Sequence, residues 1–173
     1  MAKFEILFPY ILKVEGGFVN DPADAGGATN MGITLKTYAA YCAEKGLKKP
    51  TIADLKKIDN EVVAEIYRTR YWDKWKAADI KSQKVANIVV DWYINSGVVG
   101  IKKAQTAIGT LADGVVGKMT IAAINAANPD DLFVKLCNAR VEHYNNIVRR
   151  NPSQRKFLKG WLNRLDIIKN IPV

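Results

Sequence analysis

The residues able to do chemistry gather in one stretch, Val14-Glu15-Gly16-Gly17-Phe18-Val19-Asn20-Asp21-Pro22-Ala23-Asp24-Ala25-Gly26-Gly27-Ala28-Thr29-Asn30-Met31-Gly32-Ile33-Thr34. A single glutamate opens it, followed by two aspartates, five glycines and two threonines. Upstream, Phe4, Leu7, Phe8, Ile11 and Val14 recur at helical spacing, and Glu15 continues the Phe4-Phe8-Ile11 edge. A carboxylate on the buried side of a helix is disfavoured when ionised, so the spacing predicts an acid that can hold a proton. Gly16 and Gly17 end the helix, because glycine accepts the left-handed backbone of a C-cap. The chemistry this allows is proton donation from a helix end toward a loop able to surround a ligand.

A Glu-Gly-Gly tripeptide by itself is an ordinary helix end; the whole run carries more. Read in order, Glu-Gly-Gly, Asp-Pro, Asp, Gly-Gly, Thr and Gly-Ile-Thr resemble the signature of the N-acetylmuramidases of glycoside hydrolase family 108. The resemblance continues through Asp91-Trp92-Tyr93-Ile94-Asn95-Ser96-Gly97, Asp113-Gly114-Val115-Val116-Gly117, Asn151-Pro152 and Gly160-Trp161, so it covers nearly the full chain. It implies a lysozyme-like helical fold and hydrolysis between N-acetylmuramic acid and N-acetylglucosamine in peptidoglycan. Breaking that bond takes a proton for the leaving oxygen and a group that meets the oxocarbenium-like centre. Glu15 is the natural proton donor. Phage-type lysozymes show a similar Glu, Asp and Thr order across a short hairpin, which carries the partner role to Asp24 and the water-holding role to Thr29. The last gap is one residue short of that order, so Asn30 falls where a threonine is expected. Thr34 is a further candidate, and Asp21, beside the turn-forming Pro22, rivals Asp24.

Other candidates are weaker. Trp72 and Trp75 sit at helical spacing with Tyr71 and read first as core, second as sugar platforms. Asp91 and Asn95 are four apart, able to share a helix face; Asn95 is kept as a substrate-binding candidate. His143 is the only histidine, and Cys42 and Cys137 are far apart, so no zinc-ligand set is present and no cofactor is expected. Both cysteines read as buried thiols.

The elements that must position these groups are helical throughout. Thr34 is placed to cap a helix with Leu35, Tyr38, Ala39 and Cys42, and Thr51 with Asp54 forms a capping box. A further helix begins near Asp59. Ser82 caps a segment with Val85, Ile88, Val89 and Trp92, the candidate for the most buried helix, closed by Gly97. Helices follow at Ile101–Ile108, Thr120–Ala127, a long one capped by Asp130 or Asp131, and a last one carrying Phe157, Trp161, Leu165 and Ile168. No segment alternates as strands require. The fold class is therefore all-α, a helical globule of one or two lobes. Residues 1–97 form the catalytic region, and residues 98–173, by resemblance, a peptidoglycan-binding-type region packed upon it as one compact unit.

With 173 residues, 49% hydrophobic and 25% charged, the chain can bury a core and is not disordered. The net charge of +9, from 26 basic and 17 acidic residues, suits an anionic partner. Peptidoglycan strands are the expected one. A nucleic acid is not, for want of a recognition helix with clustered Arg and Lys. Glu5 and Pro9 interrupt the apolar start and no cleavage site follows, so a cytoplasmic protein without its own export signal is expected. No apolar run is long enough for stable membrane insertion. Such a protein, a monomer, resembles a phage or prophage endolysin released when a holin opens the membrane. The alternatives are a lytic transglycosylase, or a non-catalytic wall-binding or secretion-assisting protein.

Overall fold

Eight α-helices and one small β-ribbon make up the computed structural model, which describes residues 1–20 and 27–173. The helices are α1 (Phe4–Glu15), α2 (Leu35–Glu44), α3 (Ile52–Lys56), α4 (Asn60–Tyr67), α5 (Gln83–Ile108), α6 (Lys118–Ala126), α7 (Pro129–Arg150) and α8 (Arg155–Lys169). The ribbon is β1 (Thr29–Asn30) against β2 (Ile33–Thr34), antiparallel, with Thr29 opposite Thr34 and Asn30 opposite Ile33. With 71% of the described residues helical, the all-α reading stands. The ribbon escapes a search for alternation because each strand is only two residues long. What makes it is the turn: Met31 (φ 49°) and Gly32 (φ 76°) both lie in the left-handed region, as a two-residue type I′ hairpin turn requires.

Helix α1 runs unbroken through Pro9, which lies on its exposed side, while Phe4, Leu7 and Ile11 face the core. It stops at Gly16 (φ 74°), whose N–H reaches back to the carbonyl of Leu12 at 3.3 Å. Thr34 caps α2, Thr51 and Asp54 form a reciprocal box on α3, Asp59 caps α4, and Ser82 caps α5. The cap of α7 is Asn128 rather than either aspartate. Its side chain accepts from the N–H groups of both Asp130 and Asp131, with Pro129 at the first helical position.

The centre of the molecule is α5. From Val85 to Trp92 every residue is buried, Asn87 and Asp91 included. Gly97 breaks it (φ 57°, ψ −150°), yet the chain re-enters a helix at once instead of passing through a loop. A side chain at Gly100 would strike the carbonyl oxygen of Trp92 at 2.5 Å, so the second half folds tightly back on the first. Against α5 pack α7 and α8, and α8 also reaches α1. The last helix thereby touches the helix that ends in Glu15.

Candidate active site

The carboxyl of Glu15 emerges at the last residue of α1, with its side chain 19% exposed. Two surroundings define it. On one side the hairpin turn presses against it: a Cβ at Gly32 would lie 2.7 Å from Oε2 of Glu15 and 2.3 Å from the Tyr67 hydroxyl. That hydroxyl donates to the carbonyl of Met31 at 3.0 Å, which fixes the turn to α4. Burial first, then the charge of Glu15, pushes the Tyr67 pKa up, so the group remains a donor. On the other side Nη1 of Arg164 donates to Oε1 of Glu15 at 2.6 Å.

The sequence leads one to expect an acid alone on an apolar face. Instead Glu15 is the outer end of a buried charge chain. Arg164 also grips Asp91, with Nε 3.0 Å and Nη2 2.7 Å from Oδ1. Asp91, fully buried, takes a second guanidinium from Arg140 at 2.7 Å, and that pair is inaccessible to water. Nε of Arg140 then donates to the Tyr144 hydroxyl at 2.7 Å, which donates to Oδ1 of Asn95 at 2.7 Å. Burial opposes the charge on Asp91, but Arg140 and Arg164 outweigh it and hold its carboxyl below the ordinary carboxylate range. Burial likewise works against the Arg164 cation, and Asp91 with Glu15 more than offsets this, so its pKa is raised.

Asp91 and Asn95 do share a face of α5, as their spacing predicts, but they are joined through Arg140 and Tyr144 rather than directly. Neither Arg164 nor Arg140 is among the site residues that the sequence points to. Their signal was present: Arg140 lies on the Leu136–Tyr144 stripe and Arg164 three residues after Trp161. A cation on an apolar stripe requires a buried anion.

The other candidates separate. Thr29 is half-buried in β1, three residues before Gly32, and its backbone is bridged to Val19 by two hydrogen bonds of 2.8 Å. Asn30 takes the opposite face, 4% exposed, donating to the carbonyls of Leu55 (2.9 Å) and Lys56 (3.3 Å). It ties the ribbon to α3 and does not present itself beside Thr29. The Thr34 hydroxyl accepts from the N–H of Thr37 and donates to the Thr37 hydroxyl, so it is engaged as the cap of α2. Asp21 and Asp24 lie outside the described residues.

Trp72 and Trp75 are 2% and 0% exposed and have no face to offer a sugar ring. They are core, and the subsite reading of both is corrected. Asn95 lines a cavity of about 370 Å³ with His143, Tyr144 and Trp161, at the far end of the charge chain from Glu15. His143 packs against Trp92 and Tyr144, and burial, then Lys103 and Arg140, lowers its pKa. Cys42 and Cys137 are both buried and unbridged.

Comparison with known proteins bears on what this arrangement is for. Residues 8–97 match the family described as glycosyl hydrolase 108, and residues 99–166 match one described as a predicted peptidoglycan domain. The solved structure of SagA from Brucella abortus is similar over 96% of this chain and 91% of its own, with 34% identity and a TM-score of 0.77. None of the curated proteins compared with the chain matches it.

Proposed function

The chain belongs to the glycosyl hydrolase 108 family, and from that membership we propose that it cleaves the bond between N-acetylmuramic acid and N-acetylglucosamine, with Glu15 as the general acid. It is a glycoside hydrolase that acts on the glycan chain of peptidoglycan. The observation that carries the finer reading is the seat of Glu15. Its carboxyl is at a helix end and partly exposed, one oxygen bound to Arg164 and the other against the glycine of a tight turn. Held at one oxygen and packed against the turn at the other, the carboxyl is oriented before substrate arrives, which is what a proton donor to a leaving oxygen needs.

In this reading Glu15 gives its proton to the glycosidic oxygen as the bond to the anomeric carbon breaks. Water then adds to the oxocarbenium-like centre and returns a proton to solvent or base. Thr29 holds that water, and Asp24, rather than Asp21, is its partner carboxylate. The position of Thr29 on the ribbon whose turn touches Glu15 supports its part. The second matched segment supports binding of the wall polymer by residues 99–166. Release to the wall from the cytoplasm by a holin, as a monomer, completes the proposal as a lysis enzyme.

The test is mass spectrometry of fragments from purified peptidoglycan, wild type beside Glu15→Gln. Wild type should yield products with free reducing ends at N-acetylmuramic acid, and the variant about 10²–10⁴-fold less. Anhydro ends would replace hydrolysis by transglycosylation. Near wild-type cleavage by Glu15→Gln would remove the acid from its role.

A further inference from the structure

A row of tyrosines leads away from Glu15. Tyr67, against the Gly32 turn, is followed by half-buried Tyr71 with ring centroids 5.5 Å apart, and Tyr71 by Tyr93 at 5.3 Å. The charge of Glu15 is felt at both Tyr67 and Tyr71. The row ends in a cavity of about 420 Å³ lined by Asp73, Lys74, Lys76, Tyr93, Val98 and Val115 among others. Lys74 and Lys76 are exposed, and neither is ion-paired among the described residues, whereas Asp73 contributes one negative charge. The rim therefore carries net positive charge beside exposed apolar surface at Val98 (50%) and Val115 (68%).

This rim is built rather than accidental. Fully buried Gln105 holds the far wall with four hydrogen bonds. Its Oε1 accepts from the N–H of Gly114 at 2.8 Å, and its Nε2 donates to Oδ1 of Asp113 and the carbonyl of Val115, both at 3.0 Å, and to Thr120 at 3.4 Å. On the near wall Lys76 is held at φ 49°, a left-handed conformation that a residue of its type rarely adopts. Aromatic faces, an ammonium pair and apolar surface in that order match a sugar that bears a short, alanine-containing peptide with free carboxylates. A plain glycan would have no use for the lysines.

Resting on the hydrolase reading above, we propose that this pocket seats the peptide stem carried by the muramoyl residue, with Lys74 and Lys76 binding its carboxylates. The enzyme is then selective for peptide-bearing strands. Half-buried Tyr71 and Tyr93, seated on buried Tyr67, guide the glycan from the scissile bond, and the pocket reads whether its stem is present.

The test compares kcat/KM on purified strands with intact stems and on the same strands stripped of peptide by an amidase. Wild type should favour the intact strands by about tenfold, the scale of one or two charge-assisted contacts. In Lys74→Gln/Lys76→Asn, where Asn tolerates the left-handed backbone, that ratio should fall toward one. Lys74→Arg/Lys76→Arg should keep it. Lys48→Gln/Lys169→Gln, which removes the same charge at exposed positions outside residues 99–166, should leave it at the wild-type value. A wild-type ratio near one, or an unchanged ratio in Lys74→Gln/Lys76→Asn, overturns the pocket while leaving the hydrolase reading intact. Equal loss in the distant double variant overturns it too, since bulk charge would then account for the preference. Failure of wild type on both substrates overturns the hydrolase reading itself, and this one with it.

Discussion

Arg164 joins two carboxylates that lie far apart in sequence, and its partner Asp91 joins two guanidiniums. Buried charges of this kind repay their desolvation only while every member is present. Asp91→Asn would leave Arg140, with no exposed surface, facing a neutral amide, and the expected cost is about 3–5 kcal/mol. The pH dependence has a definite sign. The Asp91 carboxyl is held below its ordinary range when folded, so its contribution is present above the unfolded value of about 3.9 and is lost as pH falls through the folded one. Thermal midpoints of wild type and Asp91→Asn should therefore differ widely at neutral pH and converge below about pH 4. A gap that stays constant down to acid pH would mean that Asp91 does not act through its charge. Glu15 belongs to the same chain, which changes what its replacement does to the fold. The sequence suggests that Glu15→Gln costs little or even stabilises, by removing an acid from an apolar face. Because Arg164 loses a charged partner but keeps Asp91, a small loss is now expected.

Among the elements, the hairpin is the smallest and places the most. Its two strands contribute four residues, but its turn packs on Glu15 and is tied to α4 by Tyr67. Gly32→Ala meets two obstacles at once. Its φ of 76° disfavours any side chain, and the new methyl would collide with both the Tyr67 hydroxyl and the Glu15 carboxyl. The strain is expected at about 1–3 kcal/mol. Turnover should fall further than stability, because the displaced group is Glu15, the proposed acid. Kinetics on purified walls beside a urea melt would separate the two, and wild-type turnover in Gly32→Ala would show that the turn does not position Glu15. The break at Gly97 works at the same scale. It lets one long element carry both the buried Asp91 half and the half that leads to the lysine-rimmed pocket.

For the whole molecule, a net charge of +9 sets the first encounter with an anionic wall. Long-range attraction is screened beyond roughly 8 Å at physiological ionic strength. Added salt should weaken wall binding while leaving cleavage of a short uncharged oligosaccharide nearly unchanged. Cosedimentation with purified walls and an oligosaccharide assay across the same salt series would measure this. Equal salt sensitivity for both would place the effect inside the site instead. Among the described residues no helix is long and apolar enough to cross a membrane.

Much of this was legible in the sequence because it is local. Helix caps at Thr34, Thr51, Asp59 and Ser82 need only the few residues that follow them, and so does the helix end that presents Glu15. The burial of Val85–Trp92 is written in its own composition. The position of the acid within a family signature was equally plain, since that motif is contiguous. What lay beyond reach were partners distant along the chain. Arg164 meets Glu15 across 149 residues, and Arg140 meets Asp91 across 49. A charge on an apolar stripe announces that it needs a counter-charge, but not which one, because only packing of α8 on α1 and α5 brings them together. Trp72 and Trp75 show the same limit from the other side. Aromatic rings at helical spacing look alike whether they face a core or a sugar. The surrounding helices alone decided that these two are sealed in the core while Tyr71 and Tyr93 beside them are left partly open.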